Sequence, residues 1–129
     1  MIFDIIRKKF LVLTPEEWVR QHAINFLISY KMYPSGMLRV EGGLRVNKLL
    51  KRSDIVVYNP YGKPWMLIEC KSYDTSLTRD TFYQAAMYNS SLKAEHILLT
   101  NGLQHLCGRV HWHEMRLEAL SEIPDYPKS

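Results

Sequence analysis

At 129 residues, with 47% apolar and 23% charged side chains, the chain is sized for one domain with its own core and is too apolar to be disordered. It has no apolar run of about 18 residues to cross a bilayer, and Asp4, Arg7, Lys8 and Lys9 break up what could have been a secretory leader. Two cysteines, Cys70 and Cys107, are too few for a disulfide framework and suggest a reducing cytoplasm. The net charge of +4 is unevenly spread: residues 1–71 hold 12 Lys/Arg against 6 Asp/Glu, residues 72–129 hold 5 against 7. A basic half points to a polyanionic partner, and nucleic acid comes before membrane because no basic amphipathic helix is evident.

Thr14-Pro15-Glu16-Glu17 reads as a helix start, with Thr14 as N-cap, Pro15 at the first helical position and Glu17 where a capping box places its acid. The spacing predicts a helix to about Tyr30, with Val19, Ala23, Phe26, Leu27 and Tyr30 facing the core. Pro34-Ser35-Gly36 ends it in a turn. Met37 to Glu41 reads as a short strand, followed by Gly42-Gly43 and a basic stretch holding Arg45, Lys48, Lys51 and Arg52. Asp54 to Tyr58 and Trp65 to Cys70 read as strands joined into a hairpin by the turn Asn59-Pro60-Tyr61-Gly62. Thr78 to Leu92 reads as a second helix, with Phe82, Ala85, Ala86 and Asn89 on one face and Gln84 and Tyr88 beside it. His96 to Thr100 is a further strand, Asn101-Gly102 a hairpin turn, and Leu103 to Trp112 the returning strand. From Glu118 onward, Pro124 and Pro127 suggest coil that frays or packs. Helix, three strands, helix, two strands make an α/β domain over residues 1–129, core about 10–120, with a central mixed sheet flanked by helices.

The chemistry concentrates at Asp54 and at Glu69-Cys70-Lys71. In a hairpin, the start of the first strand lies beside the end of the second, so two carboxylates meet at one sheet edge. Strand alternation puts Glu69 and Lys71 on one face and turns Cys70 to the other. Paired carboxylates offer hard oxygens to Mg²⁺, which lowers the pKa of a bound water and binds a phosphate oxygen. A lysine beside them can hold the attacking water and offset charge building on phosphorus. The bland alternative is a surface Glu69–Lys71 pair next to an unrelated Asp54. Leu67-Ile68 directly before Glu69 argues against it, because charges so close to a core are costly unless paired or metal-bound.

Ser53-Asp54 and Glu69-Cys70-Lys71 resemble the motif of the PD-(D/E)-x-K nuclease superfamily. Thr14 to Arg20, Lys51 to Val57, Leu67 to Lys71 and Leu99 to Leu103 extend the resemblance to the N-terminal nuclease domain of the type I restriction enzyme R subunit, over roughly residues 10–125. The resemblance implies a restriction-endonuclease-like fold and Mg²⁺-dependent hydrolysis of DNA phosphodiesters, with Mn²⁺ as a substitute. It makes Asp54, Glu69 and the Cys70 carbonyl metal ligands and Lys71 the catalytic lysine. It also asks for a first-helix glutamate, for which Glu16 fits the helical face better than Glu17. Gln84-Ala-Ala-Met-Tyr88 is similar to the Gln-x-x-x-Tyr motif of RecB-type nucleases, which would turn Gln84 and Tyr88 toward the site or the DNA backbone. The chain departs from the pattern in having Ser53 where the family has proline, and it holds no Walker phosphate-binding segment of a translocating motor. The resemblance thus implies a nuclease domain that stands alone or works with a separate motor or restriction subunit; a homodimer is compatible with it.

Arg45, Lys48, Lys51 and Arg52 read as phosphate contacts that position DNA without reading its sequence. Glu41 is either a further site carboxylate or a partner of Arg39 or Arg45. Cys107-x-x-x-His111-x-His113 lacks the paired cysteines of a structural zinc site, so these histidines, with His96 and His105, are taken as strand-face residues. Trp18, Trp65 and Trp112 are taken as packing residues, and Cys70 as an inert core thiol with only its carbonyl in the site. Two other functions fit the same residues: a nucleic-acid-binding or assembly module that keeps the fold without cutting, and an RNA-cleaving enzyme.

Overall fold

The computed structural model describes residues 1–11, 14–40, 55–88 and 92–128. The chain opens with a hairpin of two short strands, β1 (Ile2–Asp4) and β2 (Lys9–Leu11). Helix α1 (Pro15–Asn25) follows and continues as a π-helical turn over Phe26–Tyr30. A single 3₁₀ turn (Ser35–Met37) leads into β3 (Leu38–Val40). Next come β4 (Ile55–Tyr58), β5 (Pro64–Cys70), α2 (Arg79–Tyr88), β6 (His96–Thr100), β7 (His105–His111) and β8 (Arg116–Leu120). Among the described residues no helix is long and apolar enough to cross a membrane.

Strands β3 to β8 form one six-stranded sheet in sequence order. Every neighbouring pair is antiparallel except β5 and β6, which run parallel because α2 carries the chain back across the sheet between them. This is the expected α/β architecture, a central mixed sheet with a helix on each face. One face meets α1: Val19, Ile24 and Leu27 pack on Leu38, Ile55, Val57, Ile68, Cys70 and Leu98. The other meets α2: Phe82, Ala85 and Ala86 pack on Val56, Leu67, Ile97, Leu99 and Val110. β5 has helices on both sides, so Trp65-Met66-Leu67-Ile68 is apolar and buried throughout. The β4–β5 hairpin forms as expected, its turn held by the Asn59 side chain, which accepts from the Tyr61 and Lys63 amides at 2.9 and 3.0 Å.

Four expectations need correction. The buried arc of α1 is Val19, Arg20, Gln21, Ile24 and Leu27, while Phe26 and Tyr30 are exposed and stack on each other at 5.1 Å. Arg20 is drawn inward by acids that hydrophobic spacing does not count. The π turn, marked by the Lys31 amide donating to the Phe26 carbonyl at 3.1 Å, then shifts later residues out of phase. Second, the β6–β7 connection takes four residues, because Thr100 is paired with His105 and β7 starts there rather than at Leu103. Third, the segment from Glu118 begins inside a strand: β8 pairs antiparallel with β7. The coil after it packs, with the Tyr33 hydroxyl donating to the Pro124 carbonyl at 2.5 Å and the Tyr126 hydroxyl to the Tyr58 carbonyl at 2.6 Å. Fourth, the N-terminal hairpin had no counterpart in the expected elements; its strands are three residues each, too short for a periodic signal.

Candidate functional site

The parallel pairing of β5 and β6 brings their C-terminal ends to one edge of the sheet. The Lys71 amide donates to the Thr100 carbonyl at 2.8 Å, carrying the ladder one residue past β5. Alternation then sorts the side chains as expected. Cys70 lies in the core under α1, and Glu69 follows Leu67 onto the α2 face. Lys71 Nζ meets Glu69 Oε2 at 2.9 Å, with side-chain exposures of 26% and 13%. A partly buried ion pair therefore ends the apolar central strand of the sheet.

The loops at this edge are tied together by polar groups. After Lys71, the Ser72 hydroxyl bonds to the Asp74 carboxylate and lies 2.9 Å from the Thr75 hydroxyl. Buried Asn101 joins this turn to the β6–β7 loop. Its Nδ2 donates to the Thr75 carbonyl at 2.7 Å, and its Oδ1 accepts from the Leu103 and Gln104 amides at 2.9 and 2.7 Å. That side-chain acceptor is what widens the hairpin beyond the two-residue turn the sequence suggests. Thr100 Oγ1 accepts from the Gly102 amide at 3.0 Å and bonds His105 Nδ1 at 2.7 Å, while burial holds His105 below the usual histidine range.

Beneath α1 lies a second charged group that sequence reasoning missed. Asp4 Oδ2 accepts from Arg7 Nε at 2.5 Å and from Arg20 Nη1 at 2.9 Å. Glu17 takes Arg7 Nη2 at 2.6 Å and Arg20 Nε at 3.0 Å. Asp4 and Arg20 are both 0% exposed. Burial pushes the Asp4 carboxyl up, but hydrogen bonds from Arg7 and the Ile6 amide, with the Arg20 charge, hold it down at about 2. Burial, then Arg7, lowers Arg20, against which Asp4 and nearby Cys70 act. The group thus links the N-terminal hairpin to α1. The Glu17-x-x-Arg20 spacing on a helix was its one visible signal.

Of the residues expected in the site, the structure brings Glu69 and Lys71 together. Ile55, one residue after Asp54, is paired with Ile68, one residue before Glu69. Asp54 itself lies outside the described residues, as do Arg45, Lys48, Lys51, Arg52, Glu41, Asn89 and the Tyr88 side chain. Glu16 and Gln84 are exposed, on the first turn of α1 and on α2 respectively. Glu17 takes only half of its capping role: its amide donates to Thr14 Oγ1 at 3.1 Å, but its carboxylate goes to the two arginines. Arg39 bonds the Gly36 and Leu38 carbonyls at 2.8 and 3.0 Å. Cys107 is buried and burial pushes its thiol up to about 12, while His111 bonds Glu118 at 2.8 Å.

Glu69 offers one hard carboxylate at the edge, and among the described residues no three His, Cys, Asp or Glu side chains gather as a metal site. No curated protein and no solved structure matches the chain. A family model described as type I restriction enzyme R protein N terminus (HSDR_N) matches residues 15–124, from the first residue of α1 to the coil beyond β8, and the chain belongs to that family.

Proposed function

We propose that this domain is a metal-dependent deoxyribonuclease of the PD-(D/E)-x-K kind. The observation that carries this reading is the Glu69–Lys71 pair at 2.9 Å, held where the buried central strand reaches solvent. Packing alone gives no reason to end such a strand on two charges. The β4–β5 register supports a second carboxylate beside it, because Asp54 and Glu69 are the next residues beyond the paired Ile55 and Ile68.

In this reading Asp54, Glu69 and the Cys70 carbonyl hold Mg²⁺, or Mn²⁺ in its place. Their oxygen donors suit such hard cations. The ion supplies Lewis-acid chemistry, acidifying water and binding a phosphate oxygen. Lys71 orients the attacking water and offsets charge at phosphorus. The water oxygen bonds to phosphorus as its proton passes to solvent, and the opposite sugar oxygen leaves and takes a proton from solvent. Glu16 adds a carboxylate from α1, while Gln84 and Tyr88 meet the site or a phosphate from α2. Arg45, Lys48, Lys51 and Arg52 contact phosphates, so cleavage shows little sequence preference. The family description names the N terminus of a restriction R protein, which supports DNA and a restriction or motor subunit as partners.

A second reading is a nucleic-acid-binding or assembly module that does not cut. One feature favours it: the Glu69 carboxylate already has Lys71 as its counter-charge. A nuclease assay separates the two. Supercoiled plasmid and linear single and double strands are incubated with Mg²⁺, Mn²⁺ or EDTA, with Lys71→Ala beside the parent. Metal-dependent cutting that disappears in the variant is the expected result. DNA binding without cutting in the parent would support the module instead.

A further inference from the structure

The start of α1 and the loops that follow β5 and β6 enclose an open groove. Thr14, Pro15, Trp18, Tyr73 and Leu103 line it, and its walls are mainly apolar. Tyr73 is 51% exposed and stands edge-on to Trp18, with ring centroids 5.9 Å apart and planes at 79°. Trp18 is fixed from behind. His22 packs against it at 4.0 Å and bonds its carbonyl at 2.8 Å. Gly102 comes so close that a Cβ there would lie 2.9 Å from the Trp18 ring. Two aromatic rings with an exposed leucine are thus held in place before any ligand arrives, which lowers the ordering cost of binding.

We propose that this groove receives an unpaired base of a single DNA strand whose backbone runs past Lys71; the proposal rests on the nuclease reading for the path of that strand. Position argues for a nucleotide. Tyr73 follows Lys71 by two residues, so their Cα atoms are at most about 7 Å apart, within the span of neighbouring nucleotides on one strand. Charge argues the same way: the Lys71 ammonium, with 26% of its side chain exposed, attracts phosphate, while the groove takes something flat and uncharged. A nucleotide presents both, and aromatic rings stack any base. A paired base keeps its faces inside the duplex and cannot enter. The groove therefore makes frayed ends, gaps or single strands the favoured substrate.

The test is binding in EDTA, so that cutting plays no part. The full chain is titrated with an oligo-dT strand and with an abasic strand of equal length and charge. The strand with bases binds about tenfold tighter. Tyr73→Ala removes most of that ratio, Tyr73→Phe keeps it, and Leu103→Ser, a change at an exposed side chain that leaves the fold intact, lowers it less. Equal binding of the two strands by the parent, or an unchanged ratio in Tyr73→Ala, overturns the proposal. So does a parent that binds neither strand. A chain that cuts with Mg²⁺ but shows no base preference overturns the groove and leaves the nuclease reading standing. A chain that shows the preference and never cuts does the reverse.

Discussion

The molecule holds two groups of opposite charges a short way apart, and they are built for different ends. Asp4, Arg7, Glu17 and Arg20 close on one another under α1, two acids against two bases, with Asp4 and Arg20 out of contact with solvent. Glu69 and Lys71 pair at the rim of the sheet, each with part of its surface open to water. The Asp4–Arg20 centre has no surface left to offer a ligand, and Arg7 and Glu17, though 25% and 14% exposed, are each already held by two opposite charges of the group. A pair at a solvent edge can exchange its partner for a metal, a water or a phosphate. The first group ties α1 to the N-terminal hairpin, and the second stands at the sheet edge where a ligand can reach it.

The sharpest way to break this contrast is to remove one member from each. Arg20→Ala leaves Asp4 and Glu17 short of a partner in the interior, and its expected cost is about 3–5 kcal/mol of stability by urea unfolding. A loss below about 1 kcal/mol would show that the buried group does not fix α1. Lys71→Ala is expected to change unfolding stability by less than about 1 kcal/mol, because part-exposed pairs contribute little. On the proposed nuclease reading its effect falls on the rate of metal-dependent DNA cleavage, which should drop by about 10²- to 10³-fold. A variant that melted early and still cut at full rate would invert the assignment of the two groups.

The sequence made these two regions unequally legible. Strand β5 announces itself through an apolar run that stops at Glu69, and alternation alone separates Glu69 and Lys71 from Cys70. Helix α1 was legible at its start, where Thr14 caps the Glu17 amide, but not in its buried face. Hydrophobic spacing treats Arg20 and Gln21 as outward residues, yet Asp4, sixteen positions earlier, makes an inward arginine favourable. Such long-range charge pairing leaves no local period. Nor does the β6–β7 loop, whose width depends on what the buried Asn101 side chain accepts. Strand β8 was hidden because only Leu117 and Leu120 are even partly covered, and an edge strand with one thin face shows little alternation.

Acid should loosen the group under α1 through Asp4. Asp4 titrates at about 2 in the folded chain against an ordinary 3.8, a downward shift. Its contribution is therefore complete above the ordinary value and is lost as pH falls from 3.8 toward 2. The difference corresponds to roughly 2 kcal/mol. Urea unfolding of the parent and of Asp4→Asn across that window should converge at the acid end. A gap that stayed constant would mean that the carboxylate charge is not what Arg7 and Arg20 hold.

The smallest expected effect lies where the two regions meet, at Gly102. This residue has φ of +87°, and a Cβ would come within 2.9 Å of Trp18 and 3.4 Å of Val19. Gly102→Ala therefore meets a backbone conformation unfavourable to alanine and a ring that must move, at about 1–2 kcal/mol of stability. Neither the Glu69–Lys71 pair nor the Arg20 group touches this methyl. The Lys71 amide bond to Thr100 lies on the β6 side of the loop and should hold, so the charged pair keeps its place. What moves is the back wall of the groove. The variant should cut a fully paired duplex at close to the parent rate while losing part of its preference for strands with bases over abasic ones. Equal losses on both substrates would mean that the loop supports Lys71 itself, and that the groove and the charged pair are one unit rather than two.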